Sequence, residues 1–122
     1  MELEVGQFAR LKSGYICKII NINDFREPNI KYGVEANYLK DVMFIGDDDV
    51  VKSSYNIIDI LEVGDIISFY EDIDNYKKQY VIGIPDLITL DNIKDKITND
   101  DIRLVSILTK EQMEQMAYKV GE

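Results

Sequence analysis

Acidic side chains are the most numerous groups in this sequence that could do chemistry, and their densest run is Asp47-Asp48-Asp49. A cation such as Mg²⁺ or Ca²⁺ needs several oxygen ligands that converge on one point. Three consecutive residues in a turn between strands point apart, so we interpret the run as a solvated turn. Residues 72–75 begin like a calcium-binding loop, but Tyr76 and Lys77 stand where that loop requires an oxygen ligand and a glycine. We therefore expect no metal site.

The sequence lacks a residue type and two motifs that enzymes commonly use. Histidine is absent, which removes the usual general base near neutral pH, the Ser-His and Cys-His pairs and most zinc sites. Neither of the two common glycine motifs for nucleotides occurs. We expect a non-enzymatic protein without a cofactor and assign no catalytic residue. A small-molecule pocket without a sequence motif stays an alternative.

Cys17 is the only cysteine, so the chain cannot form an internal disulfide, and this fits a reducing cytoplasm. The residue lies within an apolar strand pattern, which predicts a buried and inert thiol. No apolar run approaches the length that a bilayer requires, and the acidic first residues do not resemble a signal peptide. We expect a cytoplasmic protein that does not interact with membranes.

Period-two apolar patterns and turn residues predict a mainly β protein. The clearest hairpin joins Gln7–Lys12 to Tyr15–Ile22 through Ser13-Gly14. Further strands are predicted at residues 41–45, 49–52, 65–70, 77–84 and 102–108, with turns at 46–48 and 71–75 and a loop at 23–33. Residues 34–40 are ambiguous, and residues 87–97 fit either a helix or a strand.

Two short helices are predicted. Apolar residues at 57, 58, 60 and 61 fit one turn of helix, capped by Ser54 or Asn56. We interpret this turn as a buried plug at one end of a barrel, with a docking segment as the alternative. Thr109 and Gln112 form a capping-box pattern, and Met113, Met116, Ala117 and Val120 follow on one helical stripe. We expect this stripe to cross the barrel opening, although a methionine-rich face can also bind partners.

The tetrapeptide Leu-Glu-Val-Gly occurs twice, at residues 3–6 and 61–64, and a strand pattern follows each copy. A glycine that adopts positive φ can turn the chain sharply before a strand. A short repeat without a fixed long period is weak support for a repeat fold, so two related halves remain an alternative. We predict one domain over residues 1–122, mainly β (α+β): a small SH3-like or partly open β-barrel with a short central helical turn and a C-terminal helix.

The charge balance is acidic, with 14 basic against 23 acidic residues and a net charge of −9. Direct binding to nucleic acid is disfavoured, because that affinity comes largely from neutralisation of phosphates by Lys and Arg. A basic protein partner stays open, because complementary fields speed encounter. A simpler alternative is that the acidic charge serves solubility, as in many cytosolic bacterial proteins. Seven of the tyrosines could form an aromatic recognition face, but tyrosines on strands more often pack in cross-strand pairs.

Three segments together resemble a known family. Residues 6–18, 52–65 and 109–120 look like those of small proteins without an assigned function that are encoded in phage and prophage regions of clostridia and related Gram-positive bacteria. The resemblance implies a phage-derived protein that acts in the bacterial cytoplasm. It carries over no catalytic or binding residue.

These observations favour an interaction module that binds a host or phage protein. In one version it is an acidic inhibitor of a nucleic-acid-handling host system, which requires the acidic residues to gather on one face. The predicted interaction surface comprises Tyr55, Met113, Met116 and Tyr118. The alternatives are a barrel that binds a small ligand near Tyr55 and the C-terminal helix, and a minor structural component of the phage particle.

Overall fold

The computed structural model of the protein describes residues 3–22, 31–36, 43–73, 76–117 and 120–121. The chain divides into two compact units, Met1–Ile60 and Leu61–Glu122, which we call unit 1 and unit 2. The predicted mainly β architecture is confirmed, because the described residues form two antiparallel sheets and two helices. They form no closed barrel. A single domain over residues 1–122 stays a prediction.

Unit 1 contains a five-stranded antiparallel sheet in the order β4-β3-β2-β1-β5. Its strands are β1 (Phe8–Leu11), β2 (Ile16–Ile22), β3 (Tyr32–Glu35), β4 (Met43–Ile45) and β5 (Val50–Ser54). The β1–β2 hairpin is confirmed, and β2 takes the central position that its apolar faces favour. One face of the sheet packs into the core of unit 1, because alternate residues along the strands point to that face and are buried there. The core residues are Leu3, Ala9, Leu11, Cys17, Ile19, Tyr32, Val34, Ile45 and Val50.

The connection between β4 and β5 corrects the prediction of a hairpin. β4 pairs with β3, and β5 pairs with β1, so the two strands lie at opposite edges of the sheet. Only Gly46 and a 3-10 turn at Asp47–Asp49 join them. Five flat strands would separate these edges by about 19 Å, since neighbouring strands lie about 4.8 Å apart. A turn of this length is shorter than that, so the sheet of unit 1 must curl its edges toward each other.

The opposite face of β1 is covered by the predicted helical turn. A 3-10 turn at Ile57–Ile60 buries Ile58 and Ile60, and the Asn56 side chain accepts a hydrogen bond from the N–H of Ile58 at 3.3 Å. The helical turn and its cap are therefore confirmed. Arg10 on this face is fully buried and donates from Nη1 to the Ile60 carbonyl at 3.1 Å. The turn packs against β1, so its predicted burial is confirmed, and its role as a plug at one end of a barrel stays a prediction.

Unit 2 combines a three-stranded antiparallel sheet in the order β7-β6-β8 with both helices. Its elements are β6 (Ile66–Ile73), β7 (Tyr76–Gly83), α1 (Leu87–Thr98), β8 (Ile102–Leu108) and α2 (Lys110–Met116). The sheet buries Ile67 and Phe69, and the Phe69 ring stacks on Tyr80 with 5.4 Å between centroids. Leu90 and Ile93 are the buried residues of α1.

Two predicted loops are shorter than expected. β6 continues through residues 71–73, where a polar turn is predicted, because Glu71 pairs across the strands with Lys78 and opposite charges stabilise a ladder. Tyr32 and Gly33 belong to β3 and not to the predicted loop. Residues 23–30 of that loop, residues 37–40 of the ambiguous stretch and residues 41–42 of the predicted strand 41–45 lie outside the described residues.

Each copy of Leu-Glu-Val-Gly forms the same turn. Gly6 and Gly64 have φ of 96° and 98°, which confirms the expected positive φ. In unit 1 the N–H of Gln7 donates to the Glu4 carbonyl at 3.2 Å, and the Gln7 side chain accepts from the N–H of Glu4 at 2.8 Å. In unit 2 the N–H of Asp65 donates to the Glu62 carbonyl at 3.2 Å, and the Asp65 side chain accepts from the N–H of Glu62 at 2.8 Å.

The strands around the two turns also correspond. The N–H of Gly6 donates to the Ile19 carbonyl at 2.8 Å, and the N–H of Ile19 donates to the Gln7 carbonyl at 2.9 Å. In unit 2 the N–H of Gly64 donates to the Ile84 carbonyl at 2.8 Å, and the N–H of Ile84 donates to the Asp65 carbonyl at 2.9 Å.

The strand that follows each turn is central to a three-strand set, β2-β1-β5 or β7-β6-β8. In each set the register shifts directly after the fourth residue beyond the glycine, Arg10 in unit 1 and Ser68 in unit 2. The two units are therefore related in structure, and the repeated tetrapeptide marks the turn that both of them share.

Candidate functional site

Tyr55, the first of the predicted interaction residues, is 58% exposed and closes the turn of unit 1. Its ring lies over Gly6, where an added methyl group would stand 3.6 Å from Cε1. Its hydroxyl donates a hydrogen bond to the Glu4 carboxylate, and this bond raises the pKa of Tyr55. Val5, also exposed, belongs to the same turn. Tyr55 is thus accessible to a partner, while its hydroxyl has a local structural role.

Lys110 closes the turn of unit 2 in a similar way. Its side chain lies over Gly64, 3.3 Å from the position of an added methyl group, and its Nζ pairs with Glu62 at 2.8 Å. The buried Asp65 carboxylate accepts from the N–H of Lys110 at 3.0 Å, which links the turn to the start of α2. Tyr55 follows β5 and hydrogen-bonds to Glu4, and Lys110 follows β8 and forms an ion pair with Glu62. In both units these contacts therefore stabilise the turn.

The predicted capping box of α2 is confirmed. Thr109 Oγ1 accepts from the N–H of Gln112 at 3.3 Å, and the Gln112 side chain accepts from the N–H of Thr109 at 3.0 Å. The helix ends at Met116, because Ala117 is extended, so the predicted stripe through Val120 is wrong.

The remaining predicted interaction residues lie on or after this helix. Met113 is half-buried, and Met116 is 75% exposed. Both belong to unit 2, whereas Tyr55 belongs to unit 1. Tyr118 lies outside the described residues.

The acidic run at 47–49 forms a turn, as predicted. Asp47 accepts from the Tyr32 hydroxyl at 2.7 Å, and Asp49 accepts from the N–H of Gly46 at 2.9 Å, so the carboxylates point to different partners. The bond from Tyr32 holds the pKa of Asp47 below its usual value. Among the described residues, no group of three or more Asp, Glu or Cys side chains could hold a metal ion.

The predicted burial of Cys17 is confirmed. The side chain is 2% exposed, and its Sγ donates to the Ala9 carbonyl at 3.8 Å. Burial raises the pKa of the thiol to about 11. Because the thiolate is the reactive form of cysteine, this thiol is poorly suited to nucleophilic chemistry near neutral pH.

A depression beside α2 has a volume of about 490 Å³ and is open to solvent. It is lined by Lys110, Glu111, Glu114 and Gln115. Ligand pockets in proteins are lined mainly by hydrophobic and aromatic side chains with a few polar groups. This depression lacks such a lining, so it does not favour the small-ligand alternative.

The acidic residues are unevenly distributed between the units. Residues 1–60 contain 7 basic and 10 acidic residues, a net charge of −3, whereas residues 61–122 contain 7 basic and 13 acidic residues, a net charge of −6. Within unit 2, residues 86–101 carry five exposed aspartates against two lysines. Residues 86–101 therefore supply −3 of the net charge of −6 in unit 2.

Sequence reasoning left residues 87–97 open between helix and strand, and the structure shows α1 there. Asp86 begins the helix, because its side chain accepts from the N–H of Thr89 at 2.8 Å. This bond lowers the pKa of Asp86. An aspartate directly before apolar residues at helical spacing, here Leu87, Leu90 and Ile93, is an N-cap signal that could have identified the helix.

The two faces of α1 differ in character. Leu90 and Ile93 are buried, and Ile97 is half-buried. The opposite face carries Leu87, Ile88, Asp91 and Asp95, all exposed, which we call the acidic helix face. In a helix of 3.6 residues per turn these four positions fall within an arc of about 100°. The acidic helix face is our candidate functional surface.

No helix in the described part of the chain is long and apolar enough to cross a membrane. Comparisons of the chain with protein families, with curated proteins and with solved structures find no match.

Proposed function

We propose that the protein is a non-enzymatic module that binds a basic protein surface. One observation carries this proposal: five of the acidic residues in unit 2 are exposed on and around α1. A charge that served solubility alone would need no such concentration. A concentrated negative field instead steers a positively charged partner to one side of the molecule.

The resemblance to phage proteins supplies the setting of this proposal. The partner is a nucleic-acid-handling host protein in the bacterial cytoplasm, and the acidic helix face competes with phosphates for its basic groove. An SH3-like, partly open barrel in unit 1 serves as the scaffold, which the curled five-stranded sheet supports. The exposed side chains of Tyr55 and Met116 are further contact residues.

Affinity capture from a bacterial lysate tests the proposal when two variants with matched charge are compared. Asp91→Asn/Asp95→Asn removes two charges from the acidic helix face. Asp48→Asn/Glu35→Gln removes two exposed charges from unit 1. We expect a partner that the wild-type protein and the unit 1 variant retain at low salt, that high salt releases, and that the α1 variant retains poorly.

The captured partner is then purified and titrated with labelled DNA in the presence of this protein. We expect the protein to displace the DNA. Equal loss of the partner in both variants would assign binding to net charge alone, and a partner without affinity for nucleic acid would contradict the inhibitor version.

A further inference from the structure

Leu87 and Ile88 at the start of α1 are exposed without a role in the core of unit 2. Their exposed fractions are 68% and 74%, whereas Leu90 and Ile93 on the other face are 6% and 5% exposed. The helix is therefore already held by a buried stripe. Adjacent exposed aliphatic side chains on a soluble surface are candidates for burial against a partner.

We propose that Leu87 and Ile88 are the apolar anchor of the acidic helix face, and that the occupant is a basic amphipathic helix of a partner protein. This inference rests on the proposed function and names the kind of surface that the module binds.

The spacing along α1 supports a helical occupant. Leu87, Asp91 and Asp95 follow one another at four-residue intervals, and Ile88 lies on the same side. The apolar anchor and the last aspartate are about 12 Å apart along the axis, since each residue of a helix rises 1.5 Å. A partner helix that lies along α1 would place apolar side chains at the anchor and lysines or arginines one and two turns away.

Charge discriminates against the other occupants. A second copy of this chain would bring Asp91 and Asp95 against acidic residues of the same kind, and like charges in contact repel. An anionic membrane or a nucleic acid would be repelled for the same reason. Only a positive surface complements both aspartates.

The position of the aspartates in the helix supports a role in binding. Asp95 lies in the last turn of α1, and Asp100 and Asp101 follow its end. Negative charge at the C-terminal end of a helix opposes the helix dipole, so these residues do not stabilise α1 by their charge. Their arrangement makes sense as a negative surface for a partner.

Fluorescence anisotropy with two labelled synthetic peptides tests the inference. The first is a helical peptide of lysine and leucine with all leucines on one face, and the second has serine in place of each leucine. We expect the wild-type protein to bind the leucine peptide at least tenfold more tightly than the serine peptide. We expect Leu87→Ser/Ile88→Ser to remove this difference and to leave the binding of the serine peptide unchanged.

Two matched variants complete the design. Val51→Ser replaces an exposed aliphatic residue of unit 1 and should bind as the wild type does. Asp91→Asn/Asp95→Asn should weaken binding of both peptides and reduce the dependence of affinity on salt. Circular dichroism checks that each variant is folded, and Ile88→Gln replaces the double variant if that one unfolds.

The outcomes separate the two proposals. If the wild-type protein binds neither peptide at low salt, the proposed function fails. If it binds both peptides equally, the proposed function stands and the apolar anchor is wrong. If sedimentation shows a wild-type dimer that Leu87→Ser/Ile88→Ser dissociates, the occupant is a second copy, and the inference is overturned.

Discussion

Tyr32 connects three parts of unit 1 through a hydroxyl group on a fully buried side chain. The hydroxyl donates to Asp47 at 2.7 Å and accepts from the N–H of Leu3 at 3.4 Å. The N-terminal segment, β3 and the acidic turn therefore meet at one atom. Removing the partner of a buried polar group costs more than the bond itself contributes, because the remaining group is left without a partner.

We predict that Tyr32→Phe lowers the free energy of unfolding at pH 7 by about 1–2 kcal/mol. The difference in the free energy of unfolding between Tyr32→Phe and the wild-type protein should become smaller at low pH. The folded pKa of Asp47 is lowered, so its contribution is present above the unfolded pKa, near 4, and is lost as pH falls through the folded pKa.

Urea unfolding at pH 7 and at pH 3 checks both parts of this prediction. Tyr70→Phe, at a partly exposed tyrosine of unit 2, is the control and should have little effect. A difference between Tyr32→Phe and wild type that stays constant with pH would show that the bond to Asp47 does not contribute.

Some single residues could be predicted from local sequence and others could not. The burial of Cys17 follows from its neighbours in an apolar strand. The burial of Arg10 does not, because the turn that covers it comes from residues 57–60, about fifty positions later in the chain. The sequence predicts Tyr32 in a loop for a similar reason, since its partners Leu3 and Asp47 are distant in sequence.

At the scale of elements, the end of α1 is formed by an aspartate in the left-handed region. Asp100 has φ of 60° and is the only non-glycine residue with positive φ in the described ranges. Its N–H donates to Ile97 at 3.1 Å, and the N–H of Asp101 donates to Lys96 at 2.8 Å. This pair of bonds is the Schellman motif, in which glycine is the preferred residue at the position of Asp100.

We predict that Asp100→Gly raises the free energy of unfolding by about 1 kcal/mol, because glycine adopts positive φ without the steric cost that a Cβ brings. Thermal unfolding followed by circular dichroism measures the change. Asp101→Gly is the matched control, since it removes the same charge without relieving strain. If the two variants have the same melting temperature, the strain at Asp100 is not a measurable cost.

The elements differ in how far the sequence could predict them. The β1–β2 hairpin, β8 and the cap of α2 depend on neighbouring residues, and the sequence predicted them. α1 is ambiguous in the sequence because Leu87-Ile88-Thr89-Leu90 also fits a strand. The exposed Leu87 and Ile88 of this run are the residues that we propose for binding. The pairing of β5 with β1, which is distant in sequence, has no local pattern, so the prediction of a hairpin between β4 and β5 is wrong.

At the scale of the whole molecule, the two units repeat one arrangement with different sequences. Beyond Leu-Glu-Val-Gly, corresponding positions differ, such as Arg10 and Ser68. What recurs is the backbone: the turn, the pair of bonds to the neighbouring strand and the shift in register. Sequence comparison within the chain could detect only the tetrapeptide, because hydrogen bonds between backbone groups constrain side chains weakly.

The charge does not follow this repetition. Unit 2 carries a net charge of −6 against −3 in unit 1, and α1 lies between its second and third strands. The three-strand set is thus common to both units, whereas unit 2 has α1 at the place in the chain where unit 1 has β3 and β4. A binding surface on this helix can change while the three-strand set is kept.

The recurrence predicts that the two turns respond alike to the same substitution. Gly6→Ala and Gly64→Ala should each lower the free energy of unfolding by about 1–2 kcal/mol, because both glycines have positive φ. The cost at Gly64 should be slightly larger, since Lys110 lies 3.3 Å from the new methyl group against 3.6 Å for Tyr55 at Gly6. Gly83→Ala is the control, because its φ is not positive and a methyl group there meets no atom within 4 Å. Urea unfolding of the three variants measures these costs. If alanine costs no more stability in one turn than at position 83 but destabilises the protein in the other, the prediction is wrong. The two turns would then share their geometry but not their contribution to stability.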